Sequence, residues 1–271
     1  MQKLCNMIGM PQEVTARMLA LDADPAFRPD CEKLTIEALW DEGLEELGKI
    51  LDPDPNGFQM LCCMLRCALK VKQTFAERGL SEEIYYASMG CFSRFVREHY
   101  ESFGCYGFDR AFWTVRQVSG MLFRIGELEY ELIQWEGKPA ISLHIPTDVR
   151  LQLPLLRESY LQARELLSRG FPEFADAPMV CHSWLLSPAL EKLLPPESNI
   201  LAFQRAFRIT RVEDNSEDVV LWVFKNPNLK PEEYPENTSL QRRLKAYLMA
   251  GNVFCDAGGI LRDDPFLPEN E

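Results

Sequence analysis

The sequence predicts an α+β fold, in which a helical N-terminal region, residues 1–118, precedes a mixed β-sheet with flanking helices over residues 119–271. Three observations carry this. Apolar side chains recur at helical spacing through the first 118 residues. From Met121 to Asp148 the chain reads MLFRIGELEYELIQWEGKPAISLHIPTD, where strand-like alternation around a turn signal replaces the helical period. From 138 to 186 a strand pattern, a helix pattern and a second strand pattern follow one another, the unit of a parallel pairing with a right-handed crossover.

The composition narrows the function classes. With 271 residues, 46% of them apolar, the chain has material for one large domain or two modest ones. No run of about 18 uncharged apolar residues is present, so no bilayer span is expected. The first residues, MQKLCNMIGMPQEV, hold one Lys and a broken apolar run, unlike a secretory signal, and a cytoplasmic location is expected. The formal net charge of −12 argues against nucleic-acid or anionic-membrane partners, which need a concentrated basic face. The nine cysteines are odd in number, and without an export signal they are expected as reduced thiols. Cys62, Cys63 and Cys67 cluster within an apolar helical pattern, with no C-x-x-C pair and no histidine nearby, which favours buried packing over a metal site.

The N-terminal region reads as successive helices. Pro11–Leu21 is a short one, and Glu32–Ile50 is a second, with Leu34, Leu39, Leu44 and Leu47 on its apolar side. The segment 52–57, DPDPNG, breaks the pattern. Gly57–Glu77 is the most apolar helix, closed by Gly79. Ser81 caps the next, with Glu82 and Glu83 in its first turn, where the helix dipole favours acids. Phe103 to Phe108 is a loop, and Asp109–Val118 a last helix ending at Gly120.

The C-terminal region mixes periods. Phe123, Ile125, Leu128, Tyr130 and Leu132 mark a strand with an irregularity at Gly126. Residues 134–138 hold a turn around Gly137, and Pro139–Ile145 is the return strand of a hairpin. Pro154 opens a helix bearing Leu156, Tyr160, Ala163 and Leu167, which Gly170 closes. Pro178–Leu186 is a strand, and Ser187-Pro188 starts a helix stopped by Pro195-Pro196. Ser198 caps a short helix, Arg208–Val212 is a strand, Ser216 opens a helix through Val219 and Trp222, and Thr238 to Gln241 form a capping box. Gly251–Leu261 reads as a last strand or a loop pair, and the final residues are an expected frayed tail.

This order, with FRIGELEYE at 123–131, HIP at 144–146, SWLLSPAL at 183–190, SNILAFQRAFRI at 198–209 and TSLQRRLKAYL at 238–248, resembles the GNAT-type N-acyltransferases. More narrowly it resembles a family of two-part bacterial acyltransferases with a helical N-terminal domain and a GNAT-like C-terminal domain. The resemblance implies an acyl-CoA co-substrate lying where two parallel strands splay apart, here Ala140–Pro146 and Met179–Leu186. The pantetheine arm would pair with backbone near His144 and Ile145. Thr147, Asp148, Val149 and Arg150 would meet the pyrophosphate, since backbone N–H groups at a loop–helix junction attract phosphate. The connection 146–154, PTDVRLQLP, departs from the Gly-rich loop of the family. Asp148 opposes a phosphate, Pro154 removes a donor, and Arg150 compensates in part.

Acyl transfer to an amine needs a group to take the amine proton and donors for the developing oxyanion. His144 and His182, on the two strands framing the implied cleft, are the catalytic candidates, set against ordinary strand histidines bonded to a neighbour. Cys181 adjoins His182 and points to the opposite face, which disfavours a Cys–His pair. Glu127, Glu129 and Glu131 alternate along one face, the pattern of a solvated surface, with an acidic rim attracting a cationic amine as the functional reading. Arg205, Arg208 and Arg211 invite a phosphate-clamp reading that fails if a helix-to-strand turn separates them. His99 reads as a surface residue. No metal is expected. The expected activity is transfer from acyl-CoA to a small-molecule amine by direct attack. The alternatives are a non-catalytic ligand-binding or interaction protein that keeps the fold, and an enzyme with another activated donor.

Overall fold

The structure, a computed structural model, describes residues 1–214, 218–226 and 228–262. It divides into two compact units, one of residues 1–125 with 169–171 and the other made of the rest.

The first unit holds α1 (Gln2–Met7), α2 (Gln12–Ala23), α3 (Trp40–Ile50), α4 (Phe58–Glu77), α5 (Glu82–Phe103), α6 (Ala111–Val118) and the strand β1 (Leu122–Ile125). Helix α1, too short for a period to register, is not legible in the sequence. The helix expected over Glu32–Ile50 is shorter than its apolar spacing suggests. Glu32–Thr35 and Glu37–Leu39 are 3₁₀ turns, and Ile36 between them is extended at φ −120° and ψ 113°. Thr35 is part of the cause: its Oγ1 donates to the Glu32 carbonyl at 2.7 Å, a local bond that competes with helix propagation. The first half of helix α4 is largely apolar where α2, α5 and α6 pack on it, and its second half turns Lys70, Gln73 and Glu77 to solvent. Cys62, Cys63 and Cys67 lie fully buried in it, and Cys67 Sγ donates to the Cys31 carbonyl at 3.3 Å. Burial pushes the Cys62 thiol up to about 11, which suits a packing group. Ser81 caps α5 as the sequence predicts, its Oγ accepting from the Ile84 N–H.

The second unit is built on β2 (Leu128–Trp135), β3 (Lys138–His144), α7 (Leu153–Gly170), β4 (Met179–Ser183), α8 (Leu190–Leu193), α9 (Asn199–Arg205), β5 (Phe207–Glu213), α10 (Ser239–Met249) and β6 (Asp256–Leu261). The strand expected through 123–132 is cut at Gly126, so β1 and β2 are separate. Strands β2 and β3 form the predicted hairpin around Glu136 and Gly137, whose φ values of 52° and 73° match a two-residue turn of positive φ. The helix α7 then returns the chain to a β4 parallel to β3, and the strand order within the unit is β2-β3-β4-β6-β5. β4 is shorter than the expected 178–186, because Ser183 Oγ accepts from Leu185 N–H at 3.1 Å and turns the chain into a 3₁₀ segment, Trp184–Leu186. The Ser187-Pro188 helix reduces to the four-residue α8.

One face of this sheet carries Tyr130, Leu132, Ile141, Leu143, Met179 and Cys181, all buried. Tyr130 Oη meets Ser159 Oγ of α7 at 2.9 Å, and that Oγ accepts from the Leu128 N–H, so α7 lies on this face. Burial pushes the Tyr130 phenol up, so it remains a neutral hydroxyl. A separate core of Leu190, Leu201, Phe224, Tyr234, Leu244 and Phe254 ties α8, α9 and α10 together. Residues Val220–Phe224 there form a π-helical turn where an ordinary helix was expected. The expected cap Ser216 and the terminal tail, 263–271, lie outside the described residues. Among the described residues no helix is long and apolar enough to cross a membrane.

Candidate active site

The site grows from where two strands part. β3 and β4 pair at Ile141↔Met179 and Ser142↔Val180, and there the pairing ends. Beyond it β3 stays paired to β2 as far as His144, while β4 stays paired to β6 as far as Ser183. Each strand is thus held by its outer neighbour while the two inner edges diverge. Leu143 and His144 flank one side of the opening, Cys181, His182 and Ser183 the other. Main-chain polar groups at such an edge need a partner, and an extended amide-bearing ligand supplies one.

The face opposite α7 carries the polar chemistry. Strand register places Glu129 and Glu131 of β2, Ser142 and His144 of β3, His182 of β4, Gly258 of β6, and Arg208, Arg211 and Glu213 of β5 on it. The β2 end is buried, with Glu129 at 2% and Glu131 at 8% exposure, and the β5 end is open. His144 Nε2 lies 2.7 Å from Glu131 Oε2, both side chains largely buried. An ionised carboxylate accepts only, so against one Nε2 is the donor of this bond. His182 Nε2 lies 3.4 Å from Glu213 Oε2 and is more exposed.

The three glutamates overturn the reading of a solvated or rim-forming face, since Glu127, Glu129 and Glu131 are all buried. Glu127 accepts from the Arg150 backbone N–H at 2.8 Å and from its Nε at 2.9 Å, and Glu131 holds His144, which is how carboxylates are tolerated out of water. Glu131 and Glu213 as histidine partners were missed by sequence reasoning. A signal for the first existed: counting back from the Glu136-Gly137 turn pairs His144 with Glu129 and sets Glu131 two residues away on the same face.

The connection after β3 places the residues that the resemblance implied for the cofactor. Ile145 is half-buried just past the last paired residue, Thr147 and Asp148 are exposed, and Val149 N–H donates to the Pro146 carbonyl at 3.0 Å. Arg150 is exposed and fastened to Glu127 by backbone and guanidinium together. Its backbone N–H is therefore engaged by a carboxylate. Arg205 is drawn elsewhere, Nη2 donating to the Pro196 carbonyl at 2.9 Å. His99, in the first unit, is half-buried, with Nδ1 2.8 Å from the Cys105 carbonyl oxygen.

Cys181 lies on the α7 face, away from both histidines, and burial pushes its thiol up to about 12. In the folded protein at pH 8, a maleimide is expected to leave Cys181 unmodified while modifying the exposed Cys105. Peptide mapping that found Cys181 labelled as fast as Cys105 would restore a thiol nucleophile to consideration. Among the described residues no group of three His, Cys, Asp or Glu converges as metal ligands do.

Comparison with known proteins gives two family matches. Residues 1–120 match the N-acyltransferase N-terminal domain and residues 122–261 the GNAT-like C-terminal domain. Among solved structures, an acyltransferase in complex with decanoyl-CoA and teicoplanin is similar at 25% identity and a TM-score of 0.80, over 96% of this chain and 86% of that one. A mutant acyltransferase in complex with octanoyl-CoA is similar in fold at 24% identity and a TM-score of 0.81, over the same 96% and 86%. An acyltransferase with CoA and 10C-teicoplanin is similar in fold at 24% identity and 0.78, again over 96% and 86%. No curated protein matches.

Proposed function

The chain belongs to the family defined by the GNAT-like C-terminal domain, and from that premise we propose that it transfers an acyl group from acyl-CoA to an amine, with His144 as the general base. The carrying observation is the opening between β3 and β4 with His144 at its edge, its imidazole held by Glu131 at 2.7 Å. The acyl-CoA ligands of the solved relatives support the donor.

The thioester arm is placed in the opening, where strand-edge amides of β3 pair with it. The acceptor nitrogen attacks the thioester carbonyl directly, so a C–N bond forms as the C–S bond breaks. Its surplus proton passes to Nδ1 of His144, and the departing sulfur takes up a proton to leave as the CoA thiol. Glu131 stabilises the imidazolium and fixes the ring, the orienting role a carboxylate plays beside a catalytic histidine. No covalent enzyme intermediate is needed, in keeping with the burial of Cys181 on the other face. His182 lines the opposite side of the opening as a second contact for acceptor or thioester.

The loop 146–152 is assigned to the phosphates, with Thr147, Asp148, Val149 and Arg150 as contacts, and Ile145 just before it to the pantetheine arm. Glu127 orders that loop through Arg150, so Glu127→Ala is expected to raise KM for acyl-CoA several-fold with a smaller change in kcat. An unchanged KM would remove the loop from the donor site. The glycine-free loop favours a second reading, a binding module without turnover. Calorimetry separates the two. Binding of acetyl-CoA or a longer acyl-CoA, weakened in Arg150→Glu, supports the enzyme. No heat with any acyl-CoA from the folded protein supports the module.

A further inference from the structure

Arg211 follows Arg208 by three positions, and in a regular strand an odd step sends two side chains to opposite faces. Here they share one. Arg208 pairs with Ile260 and Arg211 with Gly258, positions two apart on β6, because the register shifts between Ile209 and Arg211. Thr210 is the extra residue of this bulge, and its Oγ1 donates to the Gly258 carbonyl at 3.2 Å. Bulges re-aim side chains, and this one brings Arg211 and Glu213 onto the face that holds His182 and His144. Gly258 completes the arrangement. A Cβ there would fall 2.8 Å from Arg211 Nε and 2.9 Å from its Cγ, so the arginine lies flat over a residue with no side chain. Gly258 in turn pairs with His182. Glu213 links the group, with Oε1 3.2 Å from Arg211 Nε and Oε2 3.4 Å from His182 Nε2. Glu213 takes the Nε edge of the guanidinium, and the Nη edge remains for an oxyanion. Arg208 and Arg211 are exposed, in a chain whose net charge is −12.

We propose that Arg211, laid over Gly258 by the Thr210 bulge and seconded by Arg208, binds a carboxylate carried by the acceptor amine. The acceptor is then an amino acid, a peptide end or a similar amino-carboxylate. Its nitrogen reaches the opening beside His182 while its carboxylate stays over β6. This rests on the acyl-transfer reading of the same site.

Two measurements keep the two claims apart. The first needs no turnover. The chain has three histidines, so His182 Cε1–H is assignable in NMR spectra through His182→Gln. Glutarate is expected to shift that signal saturably and glutaramide to leave it in place. Arg211→Gln and Gly258→Ala, whose methyl group would displace the arginine stem at Cγ and Nε, are each expected to abolish the glutarate response. No response in the wild-type protein, or an equal one in Arg211→Gln, overturns the subsite. A response to CoA and none to glutarate also overturns it, by moving the anion site to the donor. The second measurement is CoA release from acyl-CoA with amino-carboxylates and the matching amino-amides. A preference for the carboxylate of about tenfold in kcat/KM is expected, falling close to one in Arg211→Gln. If glutarate binds and no amine of either kind is acylated, the acyl-transfer reading fails and the anion subsite stands.

Discussion

His144→Ala is expected to lower kcat for acyl transfer by about 10²–10⁴-fold, the usual contribution of a positioned general base. The change should fall on kcat and kcat/KM together, because the proton is taken only as the C–N bond forms, and KM for acyl-CoA should move little. The pH profile carries the more specific signature. In the wild type, activity should rise with pH as the imidazole loses its second proton, and that ascending limb should vanish in His144→Ala. Glu131→Gln separates orientation from proton transfer. The amide keeps a hydrogen-bonding group beside the ring but removes the charge that steadies the imidazolium as it forms, so a loss of activity smaller than for His144→Ala is expected. A merely structural histidine would give neither result: substitution would reduce stability, and the limb would stay. His182→Ala, whose imidazole contacts Glu213 at 3.4 Å and is more exposed, is expected to keep the limb. If His182→Ala removes it and His144→Ala does not, the base is on β4 and the roles of the two strands exchange.

Legibility followed from how local each signal is. The hairpin could be read because the turn residues Glu136 and Gly137 and the alternation beside them lie within a few residues of one another, and the parallel β3–α7–β4 step because a helix between two strand patterns leaves few choices. The glutamates could not. An alternating Glu pattern means water on that face unless something covers it, and burial of Glu129 to 2% exposure depends on distant residues. The parting of β3 and β4 was implied by resemblance alone, since the point at which a ladder stops depends on both strands' outer partners. The alignment of Arg208 with Arg211 depends on the bulge at Thr210, which nothing in the local sequence announces, and the flat arginine depends on Gly258, about 50 residues away along the chain. The 32–50 segment failed for a local reason: its apolar spacing suited a helix while Thr35 and Ile36, both β-branched, did not.

Gly57→Ala is expected to produce the largest loss of stability from a single methyl group. Gly57 stands at the N-terminal end of α4 with φ at 65°, in the left-handed region, and its N–H donates to the Asp54 carbonyl at 2.9 Å. A Cβ there would lie 1.8 Å from the Phe108 carbonyl oxygen and 2.9 Å from its carbon. The obstacle is backbone and cannot rotate away. That backbone is also fixed, because Phe108 N–H donates to the Asn56 carbonyl at 2.9 Å and the Phe108 ring is buried against Phe92. The left-handed conformation costs an L-residue about 1–2 kcal/mol. Pushing the 107–108 segment aside adds about 1–3 kcal/mol, the range for overpacking. Gly104 supplies the control, with φ at 72° and nothing within 4 Å of a Cβ, so Gly104→Ala should cost only the conformational part. In denaturant unfolding, Gly57→Ala should therefore lower the midpoint well beyond Gly104→Ala, with the difference measuring the clash. Equal midpoints would mean that the Asn56–Phe108 contact yields freely, and the close approach of the two segments would then not be what requires glycine at position 57.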